Sequence, residues 1–265
     1  MTSTMSSASE IRLLDRAPPR ARVEALLRRS RVLSSLGPEA LREAATLAVA
    51  RIVPRGVAIW RVGDPATHFQ VVVSGIVKLV APAPGLRPTI LDIYGPGETL
   101  GYWAAFDGSP LIGDAIPITE QVETLLVPAG VLHHAVHARP AAAIAMTHAV
   151  LIYARALRAK IAVLTAGTVP QRLAMLFLDL NTRFGDEAED GTTLVPVPLS
   201  RQDLAQCVGA TLETVSRMMS IWRRGGVVDT YAGGFVLRDV DRLTALLEGV
   251  PLVRAEEVLT PALAS

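Results

Sequence analysis

The stretch RQDLAQCVGATLETVSRMMSIWRRGG, Arg201 to Gly226, holds a carboxylate, a hydroxyl and a guanidinium at Glu213, Ser216 and Arg217. On an α-helix, spacings of three and four put all three on one strip. A guanidinium bonds guanine bidentately through O6 and N7, and a carboxylate accepts from cytosine N4, so the strip suits the edges of neighbouring base pairs. Phosphates would repel Glu213, which leaves base reading as its use against a nucleic acid. The blander use of the same residues is an i,i+4 ion pair on a solvated helix, worth about 0.2–0.5 kcal/mol.

Such a strip needs elements that present it. Ser200 is an N-cap with Asp203 three residues on, opening a helix that runs to Val208. Gly209 makes a turn, and Thr211 caps a second helix whose Val215, Met218, Met219 and Trp222 form its core face. Two short helices hinged at a glycine are the arrangement by which a second helix enters a major groove. Leu212, at the start of that helix, is placed to touch a thymine methyl. Ser200, Arg201, Thr211, Thr214 and Arg223 are the expected phosphate contacts, with Arg224 beside them. Beyond the motif, VVDTYAGGFVLRD reads as a β-hairpin turning at Gly233-Gly234, a wing.

Upstream, residues 51–127 alternate short β-prone runs with turn signals at Pro54-Arg55-Gly56, Gly63-Asp64-Pro65, Ser74-Gly75 and Gly95-Pro96-Gly97. That pattern predicts an antiparallel β-roll or jelly roll. A short helix with Pro38 in its first turn precedes it. The fold class expected is α+β, divided into a partly disordered N-terminal extension (1–31), a β-roll sensor (32–140), a long helix (141–166), a winged helix-turn-helix (167–249) and a C-terminal tail (250–265). In the long helix Val150, Ala154, Leu157, Ile161 and Leu164 recur at heptad steps. Periodicity alone leaves two uses for that seam: packing on its own β-roll, or pairing with a second copy.

Half of the 265 residues are apolar, enough for a sizeable core, yet no uncharged stretch reaches the ~20 residues of a spanning helix. The first residues hold no secretory apolar region and there is one cysteine, so the expected location is cytoplasmic, without a disulfide or a cysteine-ligated cluster. Cys207 reads as a small apolar packing residue rather than a reactive thiol. The 26 basic and 25 acidic residues are segregated: residues 88–138 contain no Lys or Arg, while Asp92, Glu98, Asp107, Asp114, Glu120 and Glu123 all fall there. No phosphate-cradling glycine loop or nucleophile elbow occurs, and the histidines cluster in a helix rather than on strands, so an enzyme of the metal-dependent β-roll kind is not expected.

The order of elements and the string LSRQDLAQCVGATLETVSR resemble the Crp/Fnr superfamily of bacterial transcription regulators. The strings GDPATHFQVVVSGIVKLV and YGPGETLG are similar to its β-roll signatures, and the resemblance spans about Val32 to Leu247. It implies a transcription regulator with double-stranded DNA as partner, a homodimer formed through the long helix, and RNA polymerase as a further partner if the protein activates. It also implies that effector binding repositions the long helices. Glu213, Ser216 and Arg217 match the E-x-x-S-R reading set of the fumarate-nitrate branch, whose half-sites are TTGA facing TCAA. Leu212 stands where the catabolite-activator branch has arginine, which argues against that branch's operator.

Cyclic-nucleotide-binding members hold phosphate with an Arg-Ser or Arg-Thr pair and ribose with a glutamate after a Gly-x-Gly-Glu turn. Counted onward from Gly97 and Glu98, the corresponding places hold Tyr102, Ile112 and Gly113, none of them a cation. A buried phosphate without a cation is costly, so no cyclic AMP response is expected. No cofactor is expected either. The alternative is a haem- or small-ligand-binding module, with His133 and His137 at i,i+4 as ligands and DNA binding secondary. The acidic loop Asp186 to Asp190 lies where relatives touch polymerase and reads as a solvated turn.

Overall fold

The computed structural model describes residues 11–13, 19–83, 85 and 87–248, in two compact units meeting at Ala149/Val150. The expected C-terminal tail lies outside the described residues. Among them, no helix is long and apolar enough to cross a membrane.

The first unit contains β1 (Arg12–Leu13), α1 (Arg20–Leu27), α2 (Arg31–Ser35), α3 (Pro38–Leu47), β2 (Val49–Pro54), β3 (His68–Ser74), β4 (Val77–Ala81), β5 (Thr89–Tyr94), β6 (Thr99–Leu100), α4 (Tyr102–Asp107), β7 (Asp114–Pro117), β8 (Gln121–Pro128) and α5 (Gly130–Ala138). Its strands form an antiparallel sheet ordered β1-β2-β8-β3-β6 and another ordered β5-β4-β7, the expected β-roll. Strands β3 and β8 serve two apolar clusters. Phe69, Val71, Leu125 and Val127 enter one, shared with the helices, while Val72 and Val122 enter a smaller one between the strands. A register shift between Val72 and Ser74 redirects side chains where β3 runs out of the first cluster.

The described part of the N-terminal extension contributes structure. Val23 and Leu27 of α1 are buried in the larger cluster, and Ser30 bonds Thr99 at 2.7 Å in the interior. The apolar signal of α1 is two residues four apart in a run rich in arginine, too short for periodicity to reveal.

Helix α6 (Pro140–Ala166) is continuous. Ala142 and Met146 are buried in the first unit's larger cluster, whereas Val150, Ala154, Leu157 and Ile161 of the heptad seam are exposed and Leu164 is half-buried.

The second unit continues with α7 (Val169–Phe184), β9 (Asp186–Glu187), β10 (Thr193–Val195), α8 (Arg201–Val208), α9 (Leu212–Arg224), β11 (Val228–Tyr231), β12 (Gly234–Leu237) and α10 (Val240–Ala245). Its sheet is ordered β11-β12-β10-β9. Phe177 of α7 is fully buried, edge-on to Phe235 at 4.9 Å and to Trp222 at 6.0 Å, so one ring ties α7 to the wing and to α9. The acidic loop is the end of the β9–β10 hairpin, with exposed Asp186 and Glu187 opposite Leu194 and Thr193.

Candidate nucleic-acid interface

Helices α8 and α9 begin where the sequence placed their caps. The Ser200 hydroxyl accepts from the Asp203 backbone N–H at 3.0 Å, and the Asp203 carboxylate accepts from the Ser200 backbone N–H at 2.9 Å, a reciprocal capping box, and from the Ser200 hydroxyl at 2.6 Å. Gly209 closes α8 at φ +61°, a left-handed conformation that favours glycine. Thr211 accepts from the Thr214 N–H at 3.1 Å and donates to the Thr214 hydroxyl at 2.9 Å. The Ser200 hydroxyl hydrogen is therefore engaged within its cap, while Thr214 keeps its own hydrogen to donate.

The inner face of α9 is Val215, Met219 and Trp222 at steps of four and three, all buried, with Met218 half-buried at its margin rather than in the core. Its outer face presents Leu212, Glu213 and Arg217 exposed and Ser216 half-buried, so the three residues of the reading strip share one accessible face. Among the described residues no ion pair joins Glu213 to Arg217. The intrahelical pair offered as the bland alternative is absent, and both groups keep their hydrogen-bonding capacity for a partner.

Cations flank the strip. The Arg201 guanidinium donates to the Thr230 hydroxyl of β11 at 2.9 Å, reaching across 29 residues of chain. Burial first, and then the neighbouring positive charge of Arg223, lowers the Arg201 pKa from the usual arginine value. A phosphate beside Arg201 would offset both its lost hydration and the repulsion from Arg223. Arg223 and Arg224 lie in the last turn of α9, about 15 Å along the axis from Glu213. A helix laid in a groove would thus have base-reading groups at one end and phosphate-neutralising groups at the other.

Three supports had no local signal in the sequence. Arg172 of α7 donates to the Val208 carbonyl at 2.7 Å, satisfying an orphan acceptor at the end of α8. Arg242 donates to the Gly225 carbonyl at 3.3 Å beyond α9. The third is Thr230, the partner of Arg201. The wing turn is Ala232-Gly233, one residue earlier than expected, and Gly234 already pairs with Tyr231 as the first residue of β12.

In the β-roll the residues expected to line an effector pocket are engaged within the fold. Glu98 accepts from the Gly95 N–H at 2.7 Å, turning back onto its own turn. Tyr102 is buried and donates to the Ala149 carbonyl at 3.3 Å. Gly97 has φ +88° and forms part of the turn, and Gly113 lies under the Val80 carbonyl. Ile112, 43% exposed, is the member of the set that borders a crevice, together with Trp60, Tyr94, Leu100, Trp103 and Leu111. The crevice has room for about 10 Å³, roughly one water molecule. The histidines are spread over separate partners: His133 stacks on Phe106, His134 meets Glu43 at 2.7 Å, and His137 Nδ1 lies 2.7 Å from the His133 carbonyl. Cys207 is buried on α8, as a packing residue would be.

Comparison with known proteins divides the chain in the same way. Residues 50–139 match a cyclic nucleotide-binding domain and residues 171–246 a Crp-like helix-turn-helix domain. A CRP-like cAMP-activated global transcriptional regulator of Mycobacterium tuberculosis is 30% identical over 190 residues, 72% of this chain and 84% of the relative. The nitrogen fixation regulation protein FixK of Bradyrhizobium diazoefficiens is 28% identical over 232 residues, 83% of this chain and 91% of its own. Among solved structures, FixK2 from Bradyrhizobium japonicum superposes with a TM-score of 0.66 at 25% identity, covering 76% of this chain and 97% of that one.

Proposed function

The chain belongs to the Crp/Fnr family of DNA-binding transcription regulators, and from that membership we propose that it acts as a homodimer on a palindrome of TTGA and TCAA half-sites. The observation that carries the reading is the outward strip of Glu213, Ser216 and Arg217 on α9, unpaired among themselves and flanked by the close cations Arg201 and Arg223. In this reading Arg217 takes a guanine, Glu213 the amino group of a cytosine, and Leu212 a thymine methyl. Thr214 at the start of α9, Arg201 and Arg223 meet phosphates, with Thr211 holding the Thr214 hydroxyl and the helix N-terminus favouring the anion.

Pairing through α6 gives the exposed Val150, Leu157 and Ile161 an apolar partner and sets the two recognition helices about 34 Å apart, in successive major grooves. RNA polymerase is a partner if the protein activates.

For the sensor, the reading is a cofactor-free β-roll without a cyclic AMP response. The mycobacterial relative is cAMP-activated, but here residues 88–138 contain no Lys or Arg, and Glu98 is engaged with Gly95. A phosphate diester placed there would find no cation from that span, and Arg61, which reaches it from outside, is already paired with Asp114.

The test is a gel shift with a duplex carrying TTGA, six spacer bases and TCAA against a scrambled duplex, at two salt concentrations. Specific retardation that weakens steeply with salt supports the reading, because phosphate contacts release counterions. Equal affinity for both duplexes removes it.

A further inference from the structure

The two apolar clusters of the β-roll share strands β2, β3 and β8, the larger adding the helices and the smaller adding β4, and Trp60 is packed against both. Its indole N–H donates to the Gly113 carbonyl at 2.9 Å. A side chain at Gly101 would stand 3.3 Å from the far edge of the indole and 3.3 Å from Leu111, so the glycine leaves room for that ring.

The segment that carries Trp60 is bonded along its length to the segment that carries Gly113. Ile59 N–H donates to the Ala115 carbonyl, Gly63 N–H to Leu111 and Leu111 N–H to Asp64. Arg61 pairs with Asp114 at 3.0 Å, and the same carboxylate accepts from the Val62 N–H at 2.8 Å. With the indole in place the crevice around it keeps space for one water molecule.

We infer that Trp60 is a built-in occupant of the β-roll: its indole fills and hydrogen-bonds the interior that a small effector would otherwise fill, so the sensor is complete without one. The positions to which an effector's contacts would map include Gly113, whose carbonyl is taken by this indole. The inference rests on the proposed DNA reading only for its operator arm.

The test is excision of the ring and its return in solution. Trp60→Gly leaves an indole-sized space, and free indole is the probe. Melting of Trp60→Gly should rise by several degrees in millimolar indole while the wild type stays unmoved, a readout independent of DNA. On the palindromic duplex, Trp60→Gly should bind about tenfold more weakly than wild type and regain most of that affinity with indole. Val53→Ala, at a fully buried position of the smaller cluster, is the control for lost stability and should keep operator affinity. Should Trp60→Gly fail to fold, Trp60→Phe retains most of the filling without the N–H; it should melt above Trp60→Leu and bind the operator more tightly.

Indole without effect on the melting of Trp60→Gly, or Trp60→Leu equal to Trp60→Phe in both readouts, overturns the inference. So does a wild type that binds the operator only after a cyclic nucleotide is added. A wild type that never prefers the palindrome defeats the DNA reading instead and leaves the melting arm decisive.

Discussion

Arg201 opens the first helix of the DNA-binding motif and Thr230 lies in the wing, and a hydrogen bond of 2.9 Å joins their side chains. One guanidinium thus serves two ends. It ties the wing to α8, and its charge, opposed by partial burial and by the positive charge of Arg223, is one that an anion would stabilise.

The two roles separate by mutation. Arg201→Ala removes charge and tie together, so binding to operator and scrambled DNA should weaken alike, and the slope of log K against log salt should become shallower by about one. Thr230→Val removes the tie and keeps the charge; the slope should stay as in wild type. Filter binding across a salt series reads both. A loss for Arg201→Ala confined to the operator would make Arg201 a base reader.

Glu213 and Arg217 call for the opposite pattern. Because the two make no ion pair in the free protein, each keeps its own capacity for a base, and neither substitution leaves a broken pair behind. Arg217→Ala should cost about 1–3 kcal/mol on the operator and relax discrimination at one base pair, with little change on scrambled DNA. Glu213→Gln should alter which base is preferred at a neighbouring position. Competition binding against operators varied one base at a time measures this; losses equal on cognate and scrambled DNA would refute the assignment.

Legibility in the sequence followed the range of the interactions. Ser200 with Asp203, Gly209 and Thr211 act within one turn of chain, so cap and turn chemistry located α8 and α9 directly. The strip itself followed from helical spacing. Arg172 on Val208 and Thr230 on Arg201 join residues 36 and 29 apart, where spacing carries no information. Helix α1 was missed because five of its eight residues are arginine, alanine or glutamate on the solvent side and two buried residues alone define its face. A gapless count from the Gly97 turn named Tyr102, Ile112 and Gly113; in the fold Tyr102 opens α4 and donates to Ala149, Ile112 borders the crevice, and Gly113 accepts from the indole of Trp60, 53 residues away, where spacing carries no information.

The seam of α6 makes a prediction about assembly. Leu157 and Ile161 are 39% and 54% exposed in the single chain, large apolar groups one turn apart on a helix. Ile161→Glu places a carboxylate where an apolar partner is proposed, and burying it unpaired costs several kcal/mol per copy. Sedimentation at micromolar concentration should show wild type as a dimer and Ile161→Glu as a monomer with its melting transition little changed. The operator complex should weaken by about two orders of magnitude or more, since one half-site is lost with the second copy. An Ile161→Glu protein that remains dimeric would move the interface off this face.

Two glycines of the second unit isolate the cost of close packing from that of backbone strain. Gly191 and Gly234 both have positive φ, +77° and +152°, where a side chain is strained. A Cβ at Gly191 would meet nothing within 4 Å, so Gly191→Ala should lose only the conformational term, about 1–2 kcal/mol. At Gly234 the same atom would fall 2.1 Å from the Val195 carbonyl oxygen and 2.8 Å from the Val197 nitrogen, both backbone and neither able to swing away. Strand β12 must then shift from β10, where Phe235 pairs with Val195, and the ring packed on Phe177 shifts with it. Gly234→Ala should therefore destabilise by about 1–3 kcal/mol more than Gly191→Ala in urea unfolding. Since the displaced strand also carries the wing, Gly234→Ala should weaken DNA binding where Gly191→Ala does not; equal unfolding midpoints for the two variants would contradict the packing of β12 on β10.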